Sequence, residues 1–224
     1  MSSANGIHHV SAIAGDAQRN VDFYAGVLGL RLVKKRVNFD DPSAYHLYYG
    51  DEQGSPGSLI TFFPYPRSRK GRAGVGQVAL TSLTVPPAAI GFWLHRFVTL
   101  GVNHDAASRR FGQTTLLFRD RDGLQLELVT ADGATEARPW TSREYSRSVY
   151  FREPGGVLFE LATDEPGFTV DEPLDRLGSG LMLPPQYEAS RAEIESRLPE
   201  LHDPLAAPLA SSEADSRIEP VTNE

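Results

Sequence analysis

The sequence predicts an α+β fold made of repeated βαβββ modules, with mixed sheets and a helix packed on each sheet. Two observations favour this fold. The order of strand, helix, glycine stop and further strands occurs twice in the first 132 residues. The glycines that end the two predicted helices, Gly29 and Gly101, lie 72 residues apart. Recurrence at this spacing indicates an internal repeat of one supersecondary unit.

The first unit begins with a strand-forming run at residues 6–14. Gly15 and Asp16 follow as a turn and a helix N-cap. Apolar residues at helical spacing then lead to Gly29, which supplies the left-handed end of the helix. Three strands are predicted next, over residues 31–37, 45–49 and 58–63.

The second unit repeats this order. A strand is predicted over residues 77–85, and Pro86 and Pro87 suit the start of a helix that ends at Gly101. Two further strands are predicted around a glycine turn, over residues 114–118 and 124–129.

After residue 132 the repeat breaks. Residues 148–151 and 157–161 predict the last two strands of a further module, with no first strand or helix before them. Residues 189–198 predict one short helix, and the tail after residue 203 is rich in Ala, Ser, Pro and Glu, which predicts disorder. The predicted organisation is two modules (1–132), a remnant with an extension (133–175) and a C-terminal extension (176–224).

Composition excludes several classes of function. The chain has 224 residues and a formal net charge of -7, which disfavours binding to a nucleic-acid backbone. It has no cysteine, so a disulfide scaffold, a thiolate metal site and a cysteine nucleophile are excluded. No apolar run approaches the roughly 20 residues that span a bilayer, and no signal segment is evident. We therefore expect a cytoplasmic protein with no membrane partner.

Two kinds of residue stand out as candidates for chemistry. His8 and His9 are adjacent on the opening strand, where alternation allows only one of them to face a site. Glu127 and Glu160 each follow a glycine turn in an apolar strand. A buried carboxylate is costly unless it is paired or bound to a metal. The alternative is that each glutamate faces solvent from the polar side of its strand.

Several motifs together resemble the vicinal-oxygen-chelate superfamily, which includes glyoxalases, bleomycin-resistance proteins and dioxygenases, and most closely its hydroquinone-type ring-cleaving dioxygenases. They are GIHHV (6–10), GDAQRNVDFYAGVLGLRLVKK (15–35), YHLYYGD (45–51), RFG (110–112), YFREPGGVLFE (150–160), GFTVDE (167–172) and LPPQY (183–187). The resemblance implies four modules in the complete family pattern, so about one and a half modules are missing here, between roughly residues 132 and 142.

The resemblance also implies a site and a cofactor. Fe(II) is expected, with Mn(II) or another divalent ion as the alternative, held by two histidines and one carboxylate that leave open positions for an aromatic substrate and O₂. By resemblance His9 and Glu160 are two of these ligands, and the third, a histidine, falls in the missing segment. His8, Tyr150 and Arg143 resemble residues that contact the substrate, and Ser11 occupies the place of a small hydroxyl residue.

The sequence leaves two questions about the metal site open. His46 is the one histidine that is plausible as a substitute ligand or pocket residue. A glyoxalase-like or resistance-protein-like site, binding a metal or a small molecule without dioxygenase activity, would instead pair His9 with Glu127. Because the remnant strands lack their covering strand and helix, we also expect them to favour a homodimer.

Overall fold

The computed structural model describes residues 6–69, 71–72, 74–131, 148–152, 158–162 and 167–205. For residues 148–152 and 158–162 it describes the strands but not the surroundings of their side chains. The predictions made for Arg143, for the junction at residues 132–142 and for the tail beyond residue 205 therefore lie outside the described residues.

The first module is a four-stranded mixed sheet that carries one helical segment. Its elements in chain order are β1 His9–Ala14, helix α1 Ala17–Val21 continuing as a π-helical stretch Asp22–Val27, β2 Arg31–Val37, β3 Tyr45–Gly50 and β4 Leu59–Pro64. The strand order is β1-β4-β3-β2, with β1 parallel to β4 and the other pairs antiparallel. The Asp16 side chain caps α1 by accepting from the Arg19 backbone N–H at 2.8 Å. Gly29, at a φ of 71°, follows the helical segment in the left-handed region.

The second module repeats this topology. Its elements are β5 Thr81–Val85, a 3₁₀ turn Pro87–Ala89 leading into α2 Ile90–Thr99, β6 Ser108–Arg110, β7 Gln113–Arg119 and β8 Gln125–Thr130. The strand order is β5-β8-β7-β6, and the first strand is again parallel to the last. The predicted fold class is therefore confirmed: two βαβββ modules with mixed sheets.

The two modules share one core in which aromatic rings from their helical segments meet. The Tyr24 ring packs on Phe62 of its own sheet, with ring centroids 4.3 Å apart. Phe118 of β7 contacts both Phe97 of α2, at 4.8 Å, and Phe23 of the first module, at 6.4 Å. Since strand side chains alternate between faces, the neighbours of the core residues in the first sheet point to the face away from the helix. That outer face carries the candidate site.

The C-terminal segment returns to the first module. Its elements are β9 Ser148–Arg152, β10 Leu158–Ala162, 3₁₀ turns at Phe168–Val170, Leu174–Arg176 and Pro185–Ser190, β11 Leu181–Met182 and helix α3 Arg191–Arg197. β11 pairs in parallel with β2 and becomes the fifth strand of the first sheet. In the part of the chain that the structure describes, β9 and β10 pair only with each other, so the expected homodimer stays a prediction.

Several details differ from the sequence prediction, among them the bounds of β1, which starts at His9 rather than at residue 6. β5 starts at Thr81 rather than at residue 77, and β6 and β11 were not predicted. β6 is exposed at all three positions and lacks apolar alternation, and β11 has only two residues, so neither leaves a sequence pattern. Within the described ranges, no helix combines the length and the apolar character needed to cross a membrane.

Candidate functional site

The His8 and His9 rings lie together at the start of β1. Their Nδ1 atoms are 2.9 Å apart, and the rings meet edge to face with centroids 5.1 Å apart. Because His8 precedes the first residue of β1, strand alternation does not apply to it, and the expectation that only one of the pair faces a site stays a prediction. Since Nδ1 of His9 contacts His8, Nε2 is the nitrogen through which His9 would bind a metal.

A row of polar side chains crosses the outer face of the first sheet from β1 to β3. The Ser11 hydroxyl lies 2.8 Å from that of Thr61, which lies 3.1 Å from Nε2 of His46. Nδ1 of His46 lies 2.8 Å from the Tyr48 hydroxyl. The strand register places these residues side by side, since Ser11 is opposite Thr61, and Thr61 is opposite Tyr48. The row is therefore one continuous hydrogen-bonded chain. Its first member, Ser11, lies two residues after His9 in β1.

His46 packs against two aromatic rings and is engaged at both nitrogens. Its ring centroid is 3.9 Å from that of Phe63 and 4.0 Å from that of Tyr48. With Nε2 and Nδ1 engaged by Thr61 and Tyr48, the imidazole offers no uncommitted lone pair in this arrangement. The geometry therefore weighs against His46 as a substitute metal ligand and makes it a link in the polar row.

Beyond Tyr48, a buried charge cluster borders the same face. Lys34 is fully buried and opposite Tyr48 in the β2–β3 register. Its ammonium group pairs with Asp171 at 2.6 Å and with Glu172 at 2.5 Å. The Phe168 ring meets the Tyr48 ring edge to face, with centroids 5.3 Å apart. The C-terminal segment therefore supplies the aromatic and acidic border of this face.

Glu127 lies in β8 of the second module and is already paired. It is only 3% exposed, so the alternative of a solvent-facing strand glutamate does not describe it. Its Oε2 accepts from the Arg110 guanidinium at 2.6 Å and from the Ser82 hydroxyl at 3.0 Å. The negative charge is thus compensated without a metal, which disfavours a site formed by His9 and Glu127.

Tyr150 and Glu160 are opposite each other in the β9–β10 register. This pairing brings the two residues to one place on the remnant hairpin, as a shared site requires. Among the described residues, no group of three or more His, Asp or Glu side chains could hold a metal ion. Of the two ligands that the resemblance implies, the structure describes the surroundings of His9 but not those of Glu160, so the placement of Glu160 beside His9 stays a prediction.

Sequence reasoning did not place Thr61, Tyr48 or Phe168 on this face. Tyr48 lies in the YHLYYGD motif two positions from His46, so strand alternation could have placed both on one face. Thr61 is a lone hydroxyl in an apolar strand, LITFFP, which is the available signal for a buried polar partner. Phe168 had no signal, because its contact with Tyr48 depends on how the C-terminal segment docks.

Comparison with known proteins agrees with this architecture. Residues 6–128 match the family model described as the glyoxalase/bleomycin resistance protein/dioxygenase superfamily. A solved crystal structure of a dioxygenase-type protein from Bacillus subtilis is similar with a TM-score of 0.79 and 33% identity, covering 88% of this chain and 97% of that chain. The chain belongs to the glyoxalase/bleomycin resistance protein/dioxygenase superfamily.

Two relatives indicate the branch of that superfamily. The "Putative ring-cleaving dioxygenase MhqO" of Bacillus subtilis (strain 168) is 34% identical over 299 residues, covering 86% of this chain and 95% of the relative. The chlorohydroquinone/hydroquinone 1,2-dioxygenase of Sphingobium indicum is 35% identical over 150 residues, covering 66% of this chain and 47% of the relative. By resemblance, the chain is an enzyme of the ring-cleaving dioxygenase kind.

The alignment with MhqO is longer than this chain. It spans 299 residues, whereas this chain has 224. Since it covers 95% of the relative, residues of that relative within the alignment have no counterpart here. This agrees with the internal loss that the interrupted module pattern predicts.

Proposed function

We propose that the chain is an Fe(II)-dependent dioxygenase of the extradiol type that opens hydroquinone-like rings on the outer face of the first sheet. The observation that carries the proposal is the His8–His9 pair, whose Nδ1 atoms are 2.9 Å apart at the edge of a face lined by hydroxyl, imidazole and phenol groups. Such a face can bind a flat ring through its hydroxyl groups while the aromatic side chains exclude water.

The residues present fit a divalent metal in part. A metal-binding histidine commonly has its second nitrogen held by a hydrogen-bond partner, and His8 gives His9 that partner. His9 and Glu160 would hold the ion. When bound, Fe(II) supplies the Lewis-acid and electron-transfer chemistry that ring cleavage by O₂ requires. Mn(II) or another divalent ion is the alternative occupant.

The remaining roles belong to groups around these ligands. His8 would accept or donate a hydrogen bond at a substrate hydroxyl, and Tyr150, opposite Glu160 on the remnant hairpin, would orient the ring. Ser11 is exposed on the same face as His9 and can contact a bound hydroxyl group. Arg143 stays a candidate for the mouth of the site.

The metal site is expected to be weaker than that of a complete family member. The third ligand falls in the missing segment, and both nitrogens of His46 are engaged elsewhere. A second copy of the chain would not restore the ligand, because it lacks the same segment. We therefore expect weak Fe(II) binding and slow turnover.

Anaerobic Fe(II) titration followed by calorimetry tests the site. His9→Ala and Glu160→Gln should each lower the affinity, by about 10-fold or more, because each removes one of two protein ligands. Glu127→Gln is the matched control for Glu160→Gln and should bind as the unmodified chain does, since Arg110 and Ser82 already hold Glu127. Loss of binding in Glu127→Gln but not in Glu160→Gln would favour the glyoxalase-like alternative instead.

A further inference from the structure

The hydrogen bonds of the polar row on the first sheet can run in either of two directions. Its four members, Ser11, Thr61, His46 and Tyr48, each have a group that both donates and accepts: three hydroxyls and one neutral imidazole. The whole row can therefore be satisfied with its donors pointing either way. Changing from one direction to the other moves one proton from one end of the row to the other without moving any heavy atom.

The row is built to stay intact. Thr61 is fully buried, so its hydroxyl is held by its neighbours rather than by bulk water. The His46 ring packs against the rings of Phe63 and Tyr48, and these contacts favour the orientation in which its nitrogens reach Thr61 and Tyr48. The two ends of the row are more exposed to solvent than Thr61 in its middle. Ser11 is exposed on the same side of β1 as His9, and Tyr48 is partly exposed beside Phe168.

We propose that Ser11, Thr61, His46 and Tyr48 form a proton relay that carries the proton of a bound ring hydroxyl away from the His9 end of the face. The proposal rests on the proposed function, because it assumes a phenolic substrate beside His9. Its chemical basis is that a ring hydroxyl becomes a far better electron donor once it is ionised, so its proton needs a route once the bound ring covers the exposed Ser11 end from water.

Each step forms one O–H or N–H bond and breaks one. The substrate hydroxyl gives its proton to Ser11, Ser11 gives its own to Thr61, and Thr61 gives its own to Nε2 of His46. Nδ1–H of His46 then gives its proton to the Tyr48 oxygen, and Tyr48 releases its original proton to solvent. No redox step is involved. The imidazole begins as the Nδ1–H tautomer and ends as the Nε2–H tautomer, which gives the relay a signature independent of turnover.

Nitrogen-15 NMR of histidine-labelled full-length chain can read that signature. The chain is loaded with Zn(II), a diamagnetic stand-in for Fe(II), and hydroquinone is added without oxygen. We expect His46 to change from the Nδ1–H to the Nε2–H tautomer. Thr61→Val should abolish the change, and Thr61→Ser should restore it. Thr115→Val is the matched control, because it removes the same atom from a buried threonine whose hydroxyl lies 2.9 Å from that of Ser108 in the other sheet.

Turnover gives a second measurement on the Fe(II)-loaded chain. Thr61→Val and Tyr48→Phe should lower kcat by about 10-fold or more and leave KM nearly unchanged, as expected for loss of a proton-transfer path. They should also change the solvent deuterium isotope effect, which Thr115→Val should not.

The two proposals fail in different ways. A tautomer change without oxygen uptake would support the relay and overturn the proposed ring cleavage. Oxygen uptake with no tautomer change, or with Thr61→Val equal to Thr115→Val, would overturn the relay and leave the proposed function standing. Hydroquinone that produces no change at His46 also contradicts the relay, whether or not the ligand binds.

Discussion

At the scale of single residues, Lys34 shows how the C-terminal segment is held against the site. Its ammonium group is fully buried and contacts Asp171 at 2.6 Å, Glu172 at 2.5 Å and the Phe168 carbonyl at 3.3 Å. Glu172 in turn accepts from the backbone N–H groups of Gly178, at 3.3 Å, and Gly180, at 3.1 Å. One lysine thus organises the loop that places Phe168 beside Tyr48.

Replacing Lys34 tests this anchoring role. Lys34→Met leaves the buried Glu172 without its counter-charge, so we expect the free energy of unfolding to fall by about 3 kcal/mol or more. Arg197→Met removes an exposed pair with Glu193 and is the control, with an expected loss of at most about 1 kcal/mol. Urea denaturation measures both. Equal losses in the two variants would contradict the role given to Lys34.

Sequence reasoning reached some of these residues and not others. His8, His9 and Ser11 were found because they lie in or beside one short motif at the start of the chain, at β1. Lys34 lies in a correctly predicted strand, but its partner Asp171 is 137 residues further on, so nothing local distinguishes it from a solvated lysine. The same holds for the polar row, whose Ser11 and Thr61 are 50 residues apart.

At the scale of elements, the turn between β7 and β8 joins the two modules. The Asp120 carboxylate accepts from the Asp122 and Leu124 backbone N–H groups and from the Tyr24 hydroxyl at 3.0 Å. Burial raises the pKa of Asp120 above its ordinary value, although these hydrogen bonds oppose the rise. The pKa of the Tyr24 hydroxyl is also raised, first by burial and then by the Asp120 charge.

The raised pKa of Asp120 makes stability depend on pH in a defined direction. Between the Asp120 pKa of the unfolded chain and its higher pKa in the folded chain, a larger fraction of the folded state than of the unfolded state has Asp120 protonated. This contribution to the free energy of unfolding is present at low pH and is lost as pH rises through the folded pKa. Asp120→Asn removes the carboxylate.

Urea denaturation from pH 4 upward, about where free aspartate titrates, measures this contribution. The free energy of unfolding of Asp120→Asn relative to the unmodified chain should rise with pH and then level off. A difference that is constant across the range, or that falls, would contradict the assignment.

Elements were predictable where local pattern sets them. The bounds of β2 match the predicted strand, residues 31–37, because alternation and flanking turns define it. β11 forms only where the C-terminal segment meets the edge of β2, so it depends on tertiary contact and has no local signal. The π-helical stretch after α1 was likewise not visible, since apolar spacing does not distinguish it from an α-helix.

At the scale of the whole molecule, two complete modules support the outer face of the first sheet, on which the proposed chemistry depends. They hold His9, the polar row and the charged border in place without the missing segment, because both modules contribute to one aromatic core. On the proposed function, the missing segment would remove a metal ligand and leave the frame of the site in place. The central claim is therefore that this shortened chain retains slow, metal-dependent ring cleavage at the His9 end of the first sheet.

Oxygen uptake with hydroquinone, after anaerobic loading with Fe(II), tests that claim most directly when the ring-opened product is quantified in the same samples. We expect slow uptake with one O₂ consumed per ring opened, absent without Fe(II) and lost in His9→Ala, while Glu127→Gln retains it. No Fe(II)-dependent uptake in the unmodified chain, or uptake that persists in His9→Ala, would contradict the claim.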